Sequence, residues 1–145
     1  MDVVAALPGD LAALRVLLDA DGLPVADLDA SPVDFLVARV DGRLVGAVGI
    51  ERYGDAGLLR SLVVDRASRG TGLGGRLVSA LESQAGRDGI TRLVLLTQTA
   101  EPFFAARGYA VVERGSVPPA VQASAEFRSL CPASATCMSK TLEPG

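Results

Sequence analysis

Apolar residues recur along the chain at two periods, and the switches between them outline its elements. Asp2 to Leu7 is short and apolar, a first strand. Pro8-Gly9-Asp10 then opens a helix with Asp10 as N-cap. Leu11, Leu14, Leu17 and Leu18 form its apolar face, and Asp21-Gly22 ends it. Leu23 to Pro32, interrupted by Pro24 and closed by Pro32, reads as a loop or short helix. From Phe35 the period shortens. Phe35 to Val40, the turn Asp41-Gly42, and Arg43 to Ile50 together predict a hairpin. Tyr53-Gly54-Asp55 turns the chain again before a strand from Leu58 to Val64, and Leu73, Leu77, Val78 and Leu81 mark a helix ending around Gly86 to Gly89. The unbroken run Leu93 to Leu96 has the signature of a strand covered on both faces. Ala100 to Arg107 predicts a short helix stopped by Gly108, and Tyr109 to Glu113 a strand. A polar helical segment follows Pro118-Pro119, and Ala135 to Leu142 is a last strand. The order β-α-(α)-β-β-β-α-β-α-β-β describes a mixed α/β sheet in one domain spanning 1–145.

Composition acts mainly by exclusion. With 145 residues, 49% hydrophobic and 21% charged, the chain can bury one proper core and has no room for two domains. Its 14 Lys and Arg, Lys140 being the single lysine, face 17 Asp and Glu for a net charge of -3. That balance argues against a nucleic-acid partner held by a general basic surface, though not against a local anion site. The sequence has no histidine, which removes His-based metal sites, Ser-His-Asp triads and His general bases. Cys131 and Cys137 are too few for a disulfide framework and lack zinc-ligand spacing, so no metal is expected. No apolar run reaches the roughly 18 residues of a membrane span, and Met1-Asp2-Val3 lacks a basic signal-peptide start. The expectation is a soluble cytoplasmic protein with no membrane partner.

The chemistry concentrates between Leu62 and Arg76. A strand ending Val63-Val64-Asp65 runs into a loop dense in glycine (Gly70, Gly72, Gly74, Gly75), and a helix begins there. A helix start presents unpaired N–H groups and the positive end of the dipole, which suits a phosphate. Glycines let the backbone approach it without Cβ atoms in the way, and Arg69 and Arg76 add positive charge on either side. A P-loop would need lysine followed by Ser or Thr after the last glycine; Arg76 and Leu77 stand there instead. Gly70, Gly72 and Gly75 spell the G-x-G-x-x-G of a dinucleotide site, but Asp65 to Arg69 separate them from the strand. The next strand, ending Leu95-Leu96-Thr97-Gln98, also lacks the acid that would hold a ribose. A nicotinamide enzyme is accordingly the weakest reading. A loop that merely connects strand and helix would carry these glycines at a cost in stability with no ligand to justify it.

The remaining pattern, R-x-x-G-x-G on Arg69, Gly72 and Gly74, resembles the acyl-CoA-binding motif of the GNAT superfamily of N-acetyltransferases. The element order above is also that family's order. The resemblance implies the GNAT fold, an α/β (α+β) domain with a mixed, mostly antiparallel seven-stranded sheet and flanking helices. It implies acetyl-CoA as cosubstrate, bound by Leu62, Val63 and Val64 along the pantetheine arm and by Arg69, Gly70, Thr71, Gly72, Leu73, Gly74 and Gly75 at the pyrophosphate. The pantetheine amides resemble a peptide and can pair with a strand edge. A main-chain N–H near Val63 or Val64 would receive the oxyanion. An amine would then attack the acetyl thioester directly. The family's Y-x-x-x-G-F pattern, whose tyrosine protonates the leaving thiolate, is matched by Phe104-Ala105-Ala106-Arg107-Gly108-Tyr109, and Phe104 has no hydroxyl. Glu51 and Glu101 are candidates for the general base, each set against a reading as a solvated surface acid, with a water relay as the alternative. Dimers among GNAT relatives make a homodimer an expected assembly.

Leu96 to Tyr109 resembles one GNAT branch, comprising amino-acid N-acetyltransferases of the N-acetylglutamate synthase type and N-acetyltransferases encoded beside arsenic-resistance genes. The latter likeness extends through Leu58 to Val64 and Leu130 to Met138. It implies a small amino acid or glutamate analogue as acceptor, including phosphinothricin-like and arsinothricin-like compounds. Such an acceptor needs a cation for its carboxylate. Arg60 is the first candidate, against a surface pair with an acid such as Asp55; Thr97 could add a hydroxyl, and Arg128 is weaker. Cys131 and Cys137 read either as a dithiol for trivalent arsenic or as two small buried hydrophobes, the second being favoured. An acyl-CoA-binding sensor or catalytically silent GNAT domain stands as the rival class, because of Phe104.

Overall fold

The structure, a computed structural model, describes residues 2–28 and 32–142, so Asp29 to Ser31 of the expected loop lie outside the described residues. Seven strands form one mixed sheet in the order β1-β2-β3-β4-β5-β7-β6. They are β1 (Val3–Ala5), β2 (Val33–Val40), β3 (Arg43–Tyr53), β4 (Ala56–Val64), β5 (Arg92–Thr97), β6 (Ala110–Val111) and β7 (Thr136–Thr141). The helices are α1 (Leu11–Ala20), α2 (Leu73–Arg87), α3 (Glu101–Ala105) and α4 (Pro119–Gln122), with a π-helical turn at Glu126–Leu130. No helix among the described residues is long and apolar enough to cross a membrane.

Contacts divide the chain into two compact units. The first comprises Met1–Glu51 and Arg60–Gln84. Here β1 pairs antiparallel with β2, and β2 with β3, a bulge lying between Ala38 and Arg39. The β2–β3 turn is Asp41-Gly42, with φ of 51° and 79°, the two left-handed residues that a tight primed hairpin turn demands. The apolar stripe of α1 packs Leu14 and Leu18 against Val37, Leu44, Ala47 and Val63, with Leu28 closing the cluster. Gly49 lies so close beneath Val33 and Phe35 that a Cβ there would sit 2.8 Å from the Val33 Cγ1.

Asp10 does not cap α1 through its side chain. Its backbone is already helical, continuing a 3-10 turn at Pro8–Asp10. Its carboxylate turns back to accept the Leu7 N–H at 2.7 Å and an Arg39 guanidinium N–H. The Arg39 hydrogen bond first, and the Leu7 N–H second, hold the Asp10 carboxyl below its ordinary range. A depressed folded-state pKa adds stability that is complete above the unfolded value and lost as pH falls through the folded one. Urea midpoints of the wild type and Asp10→Asn should therefore differ at about pH 6 and converge on acidification towards about pH 2.

The second unit comprises Arg52–Leu59 and Ala85–Gly145. The start of β4 runs parallel to β5, Ala56 opposite Arg92 and Leu58 opposite Val94. β7 runs antiparallel to β5 from Arg92–Thr141 to Thr97–Thr136 and carries β6 on its other side. Leu93, Val94 and Leu95 are fully buried, as the apolar run predicts, whereas Leu96 at its end is only half-buried. Val94, Ala56, Leu58 and Cys137 pack with Val117 and Val121. β6 is shorter than expected, Ala110–Val111 in place of Tyr109 to Glu113. Tyr109 donates its N–H to the Phe104 carbonyl at 3.1 Å, which keeps it in the turn that closes α3.

Candidate functional site

β4 leads directly into the glycine loop. After Val64 the Asp65 N–H donates to the Val45 carbonyl at 2.7 Å, tying the strand end to β3, and Arg66–Ser68 forms a 3-10 turn. The Thr71 hydroxyl donates to the Ser68 carbonyl at 2.5 Å. Gly70 and Gly72 hold φ of 81° and 80°, a region that a side chain strongly disfavours. Helix α2 then starts at Leu73, its first bond running from the Arg76 N–H to the Gly72 carbonyl at 3.2 Å. The N–H groups of Leu73, Gly74 and Gly75 precede that bond and have no acceptor within the helix. Leu73 is buried and pins the helix start, whereas Gly70, Thr71 and Gly72 are exposed and Gly74 and Gly75 half-buried. Arg69 closes the loop back on the strand, donating from Nε to the Val64 carbonyl at 3.2 Å and from Nη2 to Asp21 Oδ1 at 2.7 Å. The sequence-expected set Leu62, Val63, Val64 and Arg69 to Gly75 is thus one continuous strand–loop–helix entrance. The Val63 side chain is core, as expected.

Upstream, β4 is irregular. Ser61 has φ of 58°, a left-handed residue inside a strand, at a cost of about 1–2 kcal/mol for a side chain other than glycine. The Arg60 Nε donates to its hydroxyl at 3.1 Å. Arg60 is not the surface residue of the second expectation, since it is only 2% exposed and its carboxylate partners are Asp27 and Glu51. Its Nη1 and Nη2 grip Asp27 in a bidentate fork at 2.6 and 2.9 Å, and Nη1 also donates to Glu51 Oε2 at 2.8 Å. The donors offered to an acceptor carboxylate in the sequence reading therefore face two carboxylates of the chain itself. Glu51, weighed as a solvated acid, is 1% exposed. Asp27 was missed altogether, because an acid in a proline-bounded loop carries no periodic signal. Arg60-Ser61, two polar residues interrupting an apolar strand, was the visible clue.

Residues 31–111 match the family model described as the acetyltransferase (GNAT) domain. The chain belongs to the GNAT acetyltransferase family. Its fold agrees with solved structures of N-acetylglutamate synthase from Neisseria gonorrhoeae complexed with coenzyme A and N-acetyl-glutamate (TM-score 0.83, 21% identity, 98% of this chain and 35% of that one). It also agrees with Tetrahymena GCN5 (0.82, 14%, 100% and 98%). A third is Rv2747 from Mycobacterium tuberculosis in complex with CoA and NLQ (0.80, 25%, 99% and 100%). The chain spans about a third of the length of the Neisseria synthase chains. Curated protein sequences give no match.

For this GNAT chain the remaining expected positions lie in the second unit. Thr97 ends β5, and its hydroxyl oxygen accepts the Ala100 N–H at 3.0 Å, shaping the turn into α3. Phe104, at the family's tyrosine position, is 4% exposed and packs edge-on against Tyr109 at 5.4 Å and Phe103 at 5.0 Å. Glu101 and Arg128 are exposed. Cys137 is buried in the β7 core, which pushes its thiol above its ordinary pKa, and Cys131 is half-buried. Native protein should accordingly take up about one maleimide, at Cys131, and about two once unfolded, countable by intact mass.

Proposed function

We propose that this chain transfers the acetyl group of acetyl-CoA to the amine of a small amino acid or glutamate analogue. The observation that carries the reading is the loop: left-handed Gly70 and Gly72 open onto the unpaired N–H groups of Leu73, Gly74 and Gly75, a cradle for a pyrophosphate. Leu62 to Val64 would align the pantetheine arm by main-chain pairing. A main-chain N–H at Val63 or Val64 would meet the oxyanion as the amine attacks the thioester carbon. The tetrahedral intermediate then collapses with cleavage of the C–S bond. Phe104 cannot protonate the sulfur, so CoA leaves as the thiolate or takes a proton from water; a thiol pKa of about 8.5 makes this tolerable. The amine's proton passes to a water relay, because Glu51 is held by Arg60.

An acceptor of the amino-acid class is supported by the sequence likeness of Leu96 to Tyr109 and Leu58 to Val64 to the synthase-type and arsenic-associated branch. Thr97 is the proposed acceptor contact, through its hydroxyl proton. The family match crosses both compact units, which supports reading 1–145 as one catalytic domain. Its demand for acetyl-CoA suits the cytoplasm.

Phe104 favours one other reading, a GNAT domain that binds acyl-CoA without turning it over. A thiol-trapping assay separates the two. With acetyl-CoA and a panel containing glutamate, phosphinothricin and its arsenic analogue, the enzyme releases CoA with at least one amine. Binding of acetyl-CoA with no release across a wide panel assigns the silent role.

A further inference from the structure

Ser61, left-handed inside β4, lies two residues before Val63, and its turn sets the direction of every main-chain group after it. A serine stays there only if its surroundings over-determine it. Arg60 supplies that constraint at one end by donating to the Ser61 hydroxyl. The other end of its guanidinium is fixed from outside β4, by Asp27 on the loop after α1 and by Glu51 on β3. A planar fork held by two carboxylates from different elements has almost no freedom to rotate. The side chains of Arg60, Glu51 and Asp27 are 0%, 2% and 9% exposed, so water does not compete for these bonds and salt screens them little.

We infer that the Asp27–Arg60–Glu51 clamp is a positioning device for acyl transfer. It holds the left-handed conformation of Ser61 and thereby aims the N–H groups of Leu62 to Val64 at the thioester oxygen. Its catalytic consequence rests on the acetyl-transfer reading above. Arg60 acts through the backbone of its neighbours and touches no reacting atom.

Asp27→Asn preserves size and one acceptor oxygen but loses the charge-assisted fork. Its kcat is expected to fall about tenfold, as a small misalignment of reacting groups demands, with KM for acetyl-CoA within about twofold because the glycine loop is untouched. Adding Ser61→Gly should return kcat to within about threefold of wild type, since glycine adopts this φ unaided. Hydrogen exchange of the Leu62 to Val64 amides gives a readout without turnover: faster in Asp27→Asn, slowed again in the double variant. Should Asp27→Asn not fold, Glu51→Gln runs the same series. Unchanged kcat and exchange in the single variant, or a loss that Ser61→Gly does not restore, overturns the clamp. A wild-type protein that acetylates no amine sinks the acetyl-transfer reading instead, and the exchange comparison still decides the clamp.

Discussion

Gly72→Val should bind CoA at least about 100-fold more weakly than wild type, a loss of about 2.7 kcal/mol, while the chain still folds. Nothing lies within 4 Å of where a Cβ at Gly72 would project, so the effect is not a clash. It acts through the backbone. At φ of 80° a β-branched residue is strongly disfavoured, and the loop must rotate out of its shape to relieve the strain. The N–H groups of Leu73 to Gly75 then no longer converge, and an anion site works only by convergence. Because Gly72 is exposed and makes no core contact, the thermal transition should drop by only a few degrees. Calorimetric titration of CoA checks the first part and a melting curve the second. Wild-type affinity in this variant would mean that the nucleotide sits elsewhere.

Arg60→Met should lower the free energy of unfolding by about 3–5 kcal/mol, a large part of the roughly 5–15 typical of such a domain. The methionine fills most of the volume, so the loss is electrostatic. Asp27 and Glu51 are left buried, with their shared cation gone. Replacing all three with apolar residues of similar size, as in Asp27→Leu/Arg60→Met/Glu51→Leu, should recover most of that loss, because no buried charge then remains uncompensated. Urea unfolding of the single and triple variants, with m-values compared, makes the test. A triple variant as unstable as the single one would place the stability in packing and not in charge pairing.

The sequence made the scaffold legible where local physics settles the answer. Asp41-Gly42 demanded a tight hairpin turn and formed one, Leu93 to Leu96 demanded cover on both faces and has it as far as Leu95, and the glycines before Leu73 announced a helix entrance. The element order announced a mixed sheet, and the resemblance to the GNAT family implied its seven strands. What stayed hidden depends on partners distant in the chain. Arg60 and Asp27 are 33 residues apart, and no periodicity relates them. Strand phase offered Glu51 as a general-base candidate set against a solvated acid, and its burial beside Arg60, a tertiary fact, could not be read there. Asp10 stood where a cap belongs, yet the short path back to Leu7 and the reach of Arg39 won its carboxylate.

The strands at both margins of the sheet are short, three residues in β1 and two in β6. A rim of so few residues offers a foreign chain little template for adding a strand, even though Val111 on β6 is 58% exposed. Concentrated stocks of the folded protein should resist fibril growth, and the onset of aggregation on heating should track global unfolding rather than precede it.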